Sequence, residues 1–385
     1  MLLIPVLIIF TVTAFSACSD SNADTAESSV SVNKIEHGKY VSSFRTESET
    51  AQESTAPPEE KDPVKEMLAE MSLEEKVGQV ILARYPDDPA EQSEKYNFGG
   101  YTLYAKDFEN ETPETLGDKL SAVRSASPVP PFIAADEEGG EIVRISKYPA
   151  FADEPLPPLS GMAAEGRVPE FAEKMADVLN RAGVNLDLAP VADVAAEGDY
   201  IYSRTCKMGY GETGEVIAEL TENLNSRGIM CCLKHFPGYG SNVDTHTGIA
   251  VDERSEESFE SMDFLPFKSG IDAGAPMIMV NHNIVTAYNA DMPASLAPEV
   301  HEILRGLGFE DIIVTDDLGM DAILLYTDSP YVTAFLAGND MLCASDGEAC
   351  YAALLGAVQS GEITEERLDE SVYRILSAKI EYGIL

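Results

Sequence analysis

The sequence predicts an α/β chain folded as a (β/α)₈ barrel of the TIM type, and three observations carry that expectation. Eight short apolar runs rich in Val and Ile each lead into longer amphipathic sequence, the alternation that parallel βα units produce. No Gly-x-Gly-x-x-Gly turn comes directly after any run, the position in which the competing doubly wound sheet would carry its phosphate-binding motif. Polar residues with chemical potential stand where runs end, at Asp136, Lys234, His235, His282 and Asp316. Barrel active sites are built on that carboxyl-terminal rim.

The expected strands are QVILARY (79–85), FGGYTLY (98–104), PFIAAD (131–136) and VNLDLAP (184–190). Four more follow: IMCCLKHF (229–236), APMIMVNH (275–282), DIIVTDD (311–317) and DMLCAS (340–345). Helical patterns lie between them, among them PETLGDKLSAVRSA (113–126), TGEVIAELTENLNSRG (213–228) and SFESMDFLPFKSGIDAG (258–274). The last two close on glycine, which enters the left-handed conformation with which many helices end.

Ahead of the barrel the composition changes twice. Met1 to Ala14 is an almost unbroken apolar run, too short to span a bilayer comfortably and typical of a signal peptide. It closes on Phe15-Ser16-Ala17-Cys18, which resembles a bacterial lipobox, so residues 1–18 are expected to direct export and to leave Cys18 lipidated. Residues 19–61 are rich in Ser, Thr, Glu, Ala and Pro, and cannot bury enough apolar surface to offset their ordering entropy. They are expected to form a tether, with one catalytic domain over residues 62–385. The protein is then exported and anchored at the outer face of the bacterial cytoplasmic membrane, or otherwise secreted.

Charge narrows the partners. Lys and Arg number 26 against 67 Asp and Glu, a net charge of −41. Nucleic acid and anionic membrane would both be repelled, so no nucleic-acid partner is expected and the membrane is reached only through Cys18. Beyond Cys18, the cysteines at 206, 231, 232, 343 and 350 form no Cys-x-x-Cys pair, and buried thiols are expected rather than disulfides or zinc.

Two clusters carry chemistry. In IIVTDDLGM two adjacent carboxylates follow an apolar run, an arrangement that is costly unless one faces a polar site. One of them can cap a helix while the other points into the barrel mouth. In KHFPGYGSNVDTHTG (234–248) glycines and a proline forbid a regular helix, yet two of the chain's five histidines lie here. Asp244 and His246 suit an acid/base dyad: a carboxylate on one ring nitrogen fixes the tautomer and leaves the other nitrogen to exchange protons. Lys234 and His235 are placed to donate hydrogen bonds. No third ligand follows at metal spacing, so neither metal nor cofactor is expected. A carboxylate nucleophile and a proton shuttle on one rim match double displacement at a glycosidic carbon.

These residues sit in motifs that resemble the glycoside hydrolase family 3 barrel, and specifically its β-N-acetylhexosaminidase branch. The motifs are MSLEEKVGQ (71–79), DEEGGEIVRI (136–145), AGVNLDLAPVADV (182–194), KHFPGYG (234–240), VDTH (243–246), IVTDDLGM (313–320) and RLDESVYRILSAKIEYGIL (367–385). The resemblance implies that Asp316 is the nucleophile and His246 the acid/base, oriented by Asp244. It implies that Asp136 and Arg144 grip the non-reducing-end sugar, and that Arg204, Lys234 and His235 also bind it. Glucosidase relatives commonly append a second domain carrying a carboxylic acid/base. This chain ends with the barrel and carries the His-Asp loop, which points to the hexosaminidase branch.

The pattern departs from the branch at Tyr239, where a second His is usual, at Glu141, where Arg is common, and in a Gly240–His246 loop one residue short. The expected function is an exo-acting retaining β-N-acetylglucosaminidase acting on GlcNAc-terminated oligosaccharides from cell wall or chitin. The alternatives are a β-glucosidase or broad β-hexosidase of the same family, or a catalytically inactive sugar-binding lipoprotein.

Overall fold

In a computed structural model, described over residues 62–327 and 329–385, each of the eight apolar runs contains a strand. They are β1 (Ile81–Arg84), β2 (Gly100–Thr102), β3 (Phe132–Ala135), β4 (Leu186–Asp187), β5 (Met230–Phe236), β6 (Met277–Val280), β7 (Ile312–Thr315) and β8 (Leu342–Ala344). The expected signal peptide, Cys18 and the tether lie outside the described residues.

Neighbouring strands pair in parallel in the order β7-β6-β5-β4-β3-β2-β1-β8. A parallel bridge between Val314 and Met341 joins β7 to β8 and completes the ring. Such strands are covered on both faces, which is why they read as continuous apolar runs rather than as alternating ones. Gly100 answers a local constraint: a Cβ there would lie 2.7 Å from Leu82 Cδ1 and 2.9 Å from Phe132 Cβ, on the two flanking strands.

Parallel neighbours need long crossovers, and helices supply them. The helices that follow the eight strands are α1 (Pro89–Tyr96), α2 (Pro113–Ala126), α3 (Val168–Ala182), α4 (Tyr210–Asn225), α5 (Phe264–Asp272), α6 (Pro298–Gly306), α7 (Pro330–Ala337) and α8 (Gly347–Ser360). A further helix, α9 (Glu365–Glu381), comes after them, and shorter helices lie elsewhere, among them Pro63–Glu70 and Leu73–Gln79 ahead of β1. The local signals are legible. Thr112 caps α2 with Pro113 in its first turn, and Leu116, Leu120 and Val123 bury one face at helical spacing. Gly183 ends α3 in the left-handed region at φ 72°.

One expected helix differs. Residues 258–274 read as a single helical pattern, but Phe259–Asp263 is a π-turn and α5 begins only at Phe264. Pro266 has no N–H to give, and its ring would crowd the carbonyl four residues back, so the turn before it widens. The widened turn leaves Asp263 3% exposed and bonded to Arg254.

The main core runs from the strands into the surrounding helices, through residues such as Leu82, Phe132, Leu186, Met277 and Leu342. A second cluster fixes the end of β5: Phe236 stacks on Phe264 at 5.4 Å and meets Phe267 edge-on at 5.2 Å. Aromatic pairs in such geometry add about 0.5–1.5 kcal/mol beyond their buried area. They pin the strand end that delivers Lys234 and His235. The five cysteines at 206, 231, 232, 343 and 350 are free and buried.

Candidate active site

A cavity of about 530 Å³ opens at the carboxyl-terminal mouth of the barrel. Residues on or just past all eight strands line it, from Arg84 at the end of β1 and Tyr104 after β2 to Cys343 and Ser345 at β8. All eight residues that the sequence singles out for the site lie on this cavity: Asp136, Arg144, Arg204, Lys234, His235, Asp244, His246 and Asp316.

The deep end is a network of alternating charges. Lys234 Nζ donates to Asp136 Oδ1 and lies against Glu138 Oε1, both at 2.7 Å. Arg204 grips Glu138 with two nitrogens, Nε at 2.9 Å and Nη2 at 2.7 Å. Burial alone would push the Glu138 carboxyl up, but Lys234 and Arg204 hold it at about 2. The same pairing runs the other way: burial disfavours the Lys234 cation, and Asp136 with Glu138 more than restores it. Lys234 and Arg204 are therefore standing cations around the acidic pair. Arg144 Nε stands 3.9 Å from Asp136 Oδ2 and has no hydrogen-bond partner of its own. The loop that carries it is clamped by Glu137, whose carboxylate accepts from the N–H groups of Arg144, Ile145 and Ser146.

His235 is more committed than the sequence reading allowed. Its Nδ1 lies 2.7 Å from Asp193 Oδ2, which also accepts the His235 backbone N–H at 3.0 Å. A carboxylate accepts only, so Nδ1 carries the proton and Nε2 is left as an acceptor, 3.3 Å from Arg204 Nη2. With Nδ1 committed to Asp193, only Nε2 of this ring is left for the cavity.

The adjacent aspartates divide their work. Asp317 Oδ1 accepts the N–H groups of Gly319 at 2.9 Å and Ser345 at 3.1 Å, and Oδ2 accepts the Ser345 hydroxyl. It ties the β7 and β8 loops together rather than capping a helix. Asp316 accepts the Asp317 N–H at Oδ1, 2.9 Å, and its Oδ2 has no such partner. Burial works against its charge, but the His282 and His235 rings, the Asp317 N–H and Lys234 outweigh that and hold the carboxyl below the usual carboxylate range. His282, expected on the rim, acts from behind it. Its ring is fully buried, with Nδ1 against Ser295 Oγ at 2.8 Å and Nε2 donating to the Asp317 carbonyl at 3.0 Å. Burial lowers its pKa, and its two hydrogen bonds brace the segment that carries Asp316.

Across the cavity, Asp244 Oδ1 accepts from His246 at two points, Nδ1 at 2.7 Å and the backbone N–H at 2.9 Å. The imidazole is 59% exposed, so its Nε2 can meet a substrate and exchange protons with water. Asp244 itself is pushed up by burial, and the His246 contacts more than offset that. The loop is rooted in Arg254, whose guanidinium bonds both Asp252 and Asp263. Gly238, at φ 126°, passes so near that a Cβ would sit 2.4 Å from Asp263 Oδ1.

The sequence reading missed Glu138, Asp193, Tyr200 and Asp317 as parts of the site. Glu138 stood in a quoted motif beside Asp136, so its type and place were available. Asp193 also stood in a quoted motif, AGVNLDLAPVADV, but its role was not legible there, since its partner lies 42 residues on.

The family model for the glycosyl hydrolase family 3 N-terminal domain matches residues 72–378. A protein named beta-hexosaminidase from Stenotrophomonas maltophilia is 33% identical over 239 residues, 58% of this chain and 68% of that protein. The solved structure of a glycoside hydrolase family 3 beta-N-acetylglucosaminidase from Paenibacillus sp. has a TM-score of 0.75 at 27% identity. The match covers 82% of this chain but only 63% of that one. A family 3 glycosyl hydrolase from Mycobacterium smegmatis has a TM-score of 0.71 at 26% identity, over 81% of this chain and 98% of that one.

Proposed function

The chain belongs to glycosyl hydrolase family 3 through its N-terminal-type barrel, and from that premise we propose an exo-acting retaining β-N-acetylglucosaminidase. One observation carries the reading: a carboxylate with a free oxygen, Asp316, and a His-Asp pair, Asp244 and His246, border one cavity that Asp136 and the buried Lys234 also line. The relatives named above for hexosaminidase or N-acetylglucosaminidase activity support the choice of sugar.

The chemistry follows from the placement. The terminal sugar enters the cavity, where Asp136, Lys234 and Arg144 meet its hydroxyls. Asp316 Oδ2 attacks the anomeric carbon as protonated His246 gives its Nε2 proton to the departing oxygen, forming a glycosyl-aspartate. Asp244 stabilises the imidazolium before that transfer and holds the ring in the Nδ1–H tautomer after it. Neutral His246 then takes a proton from water as the water attacks the anomeric carbon and frees Asp316. Two inversions return the β configuration.

The substrates on this reading are GlcNAc-terminated oligosaccharides derived from cell wall or chitin, met outside the cell by a protein anchored through Cys18. Paired aryl substrates test the reading. Turnover of the N-acetyl-β-glucosaminide with little of the β-glucoside supports it, preference for the glucoside makes the protein a β-glucosidase, and turnover of neither leaves a sugar-binding protein. Proton NMR of the first-formed sugar must show the β anomer.

A further inference from the structure

We infer that Tyr239 is a positioning residue for proton transfer, holding the Asp244–His246 pair over the cavity through its phenolic oxygen. The inference rests on the reading of His246 as the acid/base. Asp244 and His246 ride on an exposed loop with glycine at 240 and 248, and such a segment samples many orientations unless something fixes it. The Tyr239 hydroxyl lies 3.1 Å from the Val243 carbonyl, 3.0 Å from the Thr245 backbone nitrogen and 3.1 Å from Thr245 Oγ1. A phenol donates once and accepts twice. It therefore donates to the Val243 carbonyl and accepts from both Thr245 groups, which uses its full capacity. The two residues it holds are those on either side of Asp244.

The anchor is itself immobilised. Tyr239 is 3% exposed, with its ring 5.8 Å from that of Tyr200 and 5.7 Å from that of His235. Its backbone N–H donates to Asp193 Oδ1 at 2.7 Å, while Asp193 Oδ2 takes His235. One carboxylate thus references both the deep end of the cavity and the proton-shuttle loop. Burial pushes the phenol up to about 12, so it keeps its proton through the working range. Other ties reach the loop, among them Asn242 to Asp252, the Ala322 N–H to the Thr245 carbonyl at 3.3 Å and the Tyr200 side chain to the Asp244 carboxylate, but none of these touches both flanks of Asp244.

Tyr239→Phe removes the oxygen and keeps the ring. A displacement of about 1 Å at a reacting group costs on the order of 10²-fold. The expected result is a fall of about 10- to 100-fold in kcat/KM on alkyl N-acetylglucosaminides, with kcat/KM on nitrophenyl substrates nearly unchanged because their departure needs no proton. Thr245→Val, which deletes one of the three bonds, should give a smaller shift of the same kind and carries the test if Tyr239→Phe does not fold. In a His246→Ala background Tyr239→Phe should have no further effect. Loss that is equal for all leaving groups, or no loss, beside a leaving-group-dependent His246→Ala overturns the inference and leaves the acid/base reading standing. If His246→Ala itself shows no leaving-group dependence, both fall together.

Discussion

Replacing Asp316 and Asp317 separately by Asn separates their roles, because the two carboxylates have opposite structural commitments. Asp316 has one partner, the Asp317 N–H, and Asn can still accept that bond through its carbonyl oxygen. The Asp316→Asn protein should fold with a Tm within a few degrees of the parent, yet it lacks the nucleophilic oxygen. Loss of a covalent nucleophile leaves only binding and charge stabilisation, and kcat should fall by about 10⁴–10⁶. At 1.36 kcal/mol per decade that is roughly 5–8 kcal/mol of transition-state stabilisation. Asp317 instead accepts from Gly319 and twice from Ser345, across two loops. Asn keeps the bonds at one oxygen but makes them neutral. Charge-assisted bonds contribute about 1.5–3 kcal/mol against 0.5–1.5 for neutral ones, so the cost is on the order of 1–2 kcal/mol. That should lower Tm by a few degrees and reduce kcat far less than Asp316→Asn does. Calorimetry and steady-state rates on an aryl N-acetylglucosaminide measure both quantities. An active Asp316→Asn beside a folded but inert Asp317→Asn would refute the assignment.

Three further outcomes are expected. His246→Ala should form the glycosyl-enzyme from an activated aryl glycoside and then stall, giving a burst that azide relieves, and Asp244→Asn should give a milder form; stopped-flow absorbance checks both. Cys18→Ala should release the protein from the membrane fraction without altering specific activity, and unchanged fractionation would exclude lipidation there. Lys379 is fully buried on α9 with its Nζ donating to Gln79 Oε1 at 2.7 Å, and burial holds its pKa well below the ordinary value. Its depressed folded pKa means that below about 10.4 the unfolded chain binds the extra proton, so stability should rise with pH from the folded pKa up to that value. Lys379→Met should flatten that slope in denaturant titrations against pH.

Much of the fold was legible because its cause is local. A strand covered on both faces must be apolar throughout, and each of the eight expected runs holds one. Helix ends can be as local: the patterns expected to close on Gly228 and Gly274 end at Asn225 and Asp272, within three residues of those glycines, both of which take positive φ. The break at Phe259 was harder to see, since the apolar pattern continues through it and only Pro266 hints at the widened turn.

For the site, residue type and position at a strand end were enough to bring forward Lys234 and the Asp316–Asp317 pair, the composition of one loop brought forward Asp244 and His246, and the family resemblance chose Asp316 between the two aspartates. What each group does with its hydrogen bonds was not, because the partners meet only when the barrel closes. Arg204 reaches Glu138 across 66 residues of sequence, and Lys234 reaches Asp136 across 98. Closure also decides that His235 is spent on Asp193, that His282 stands behind Asp317, and that Asp317 binds Ser345 instead of a helix end. Apolar patterning depends on how much water a position loses, which neighbours in sequence already reveal. A polar contact depends on distances of about 3 Å between groups that the chain alone leaves unrelated, so only the tertiary structure assigns it.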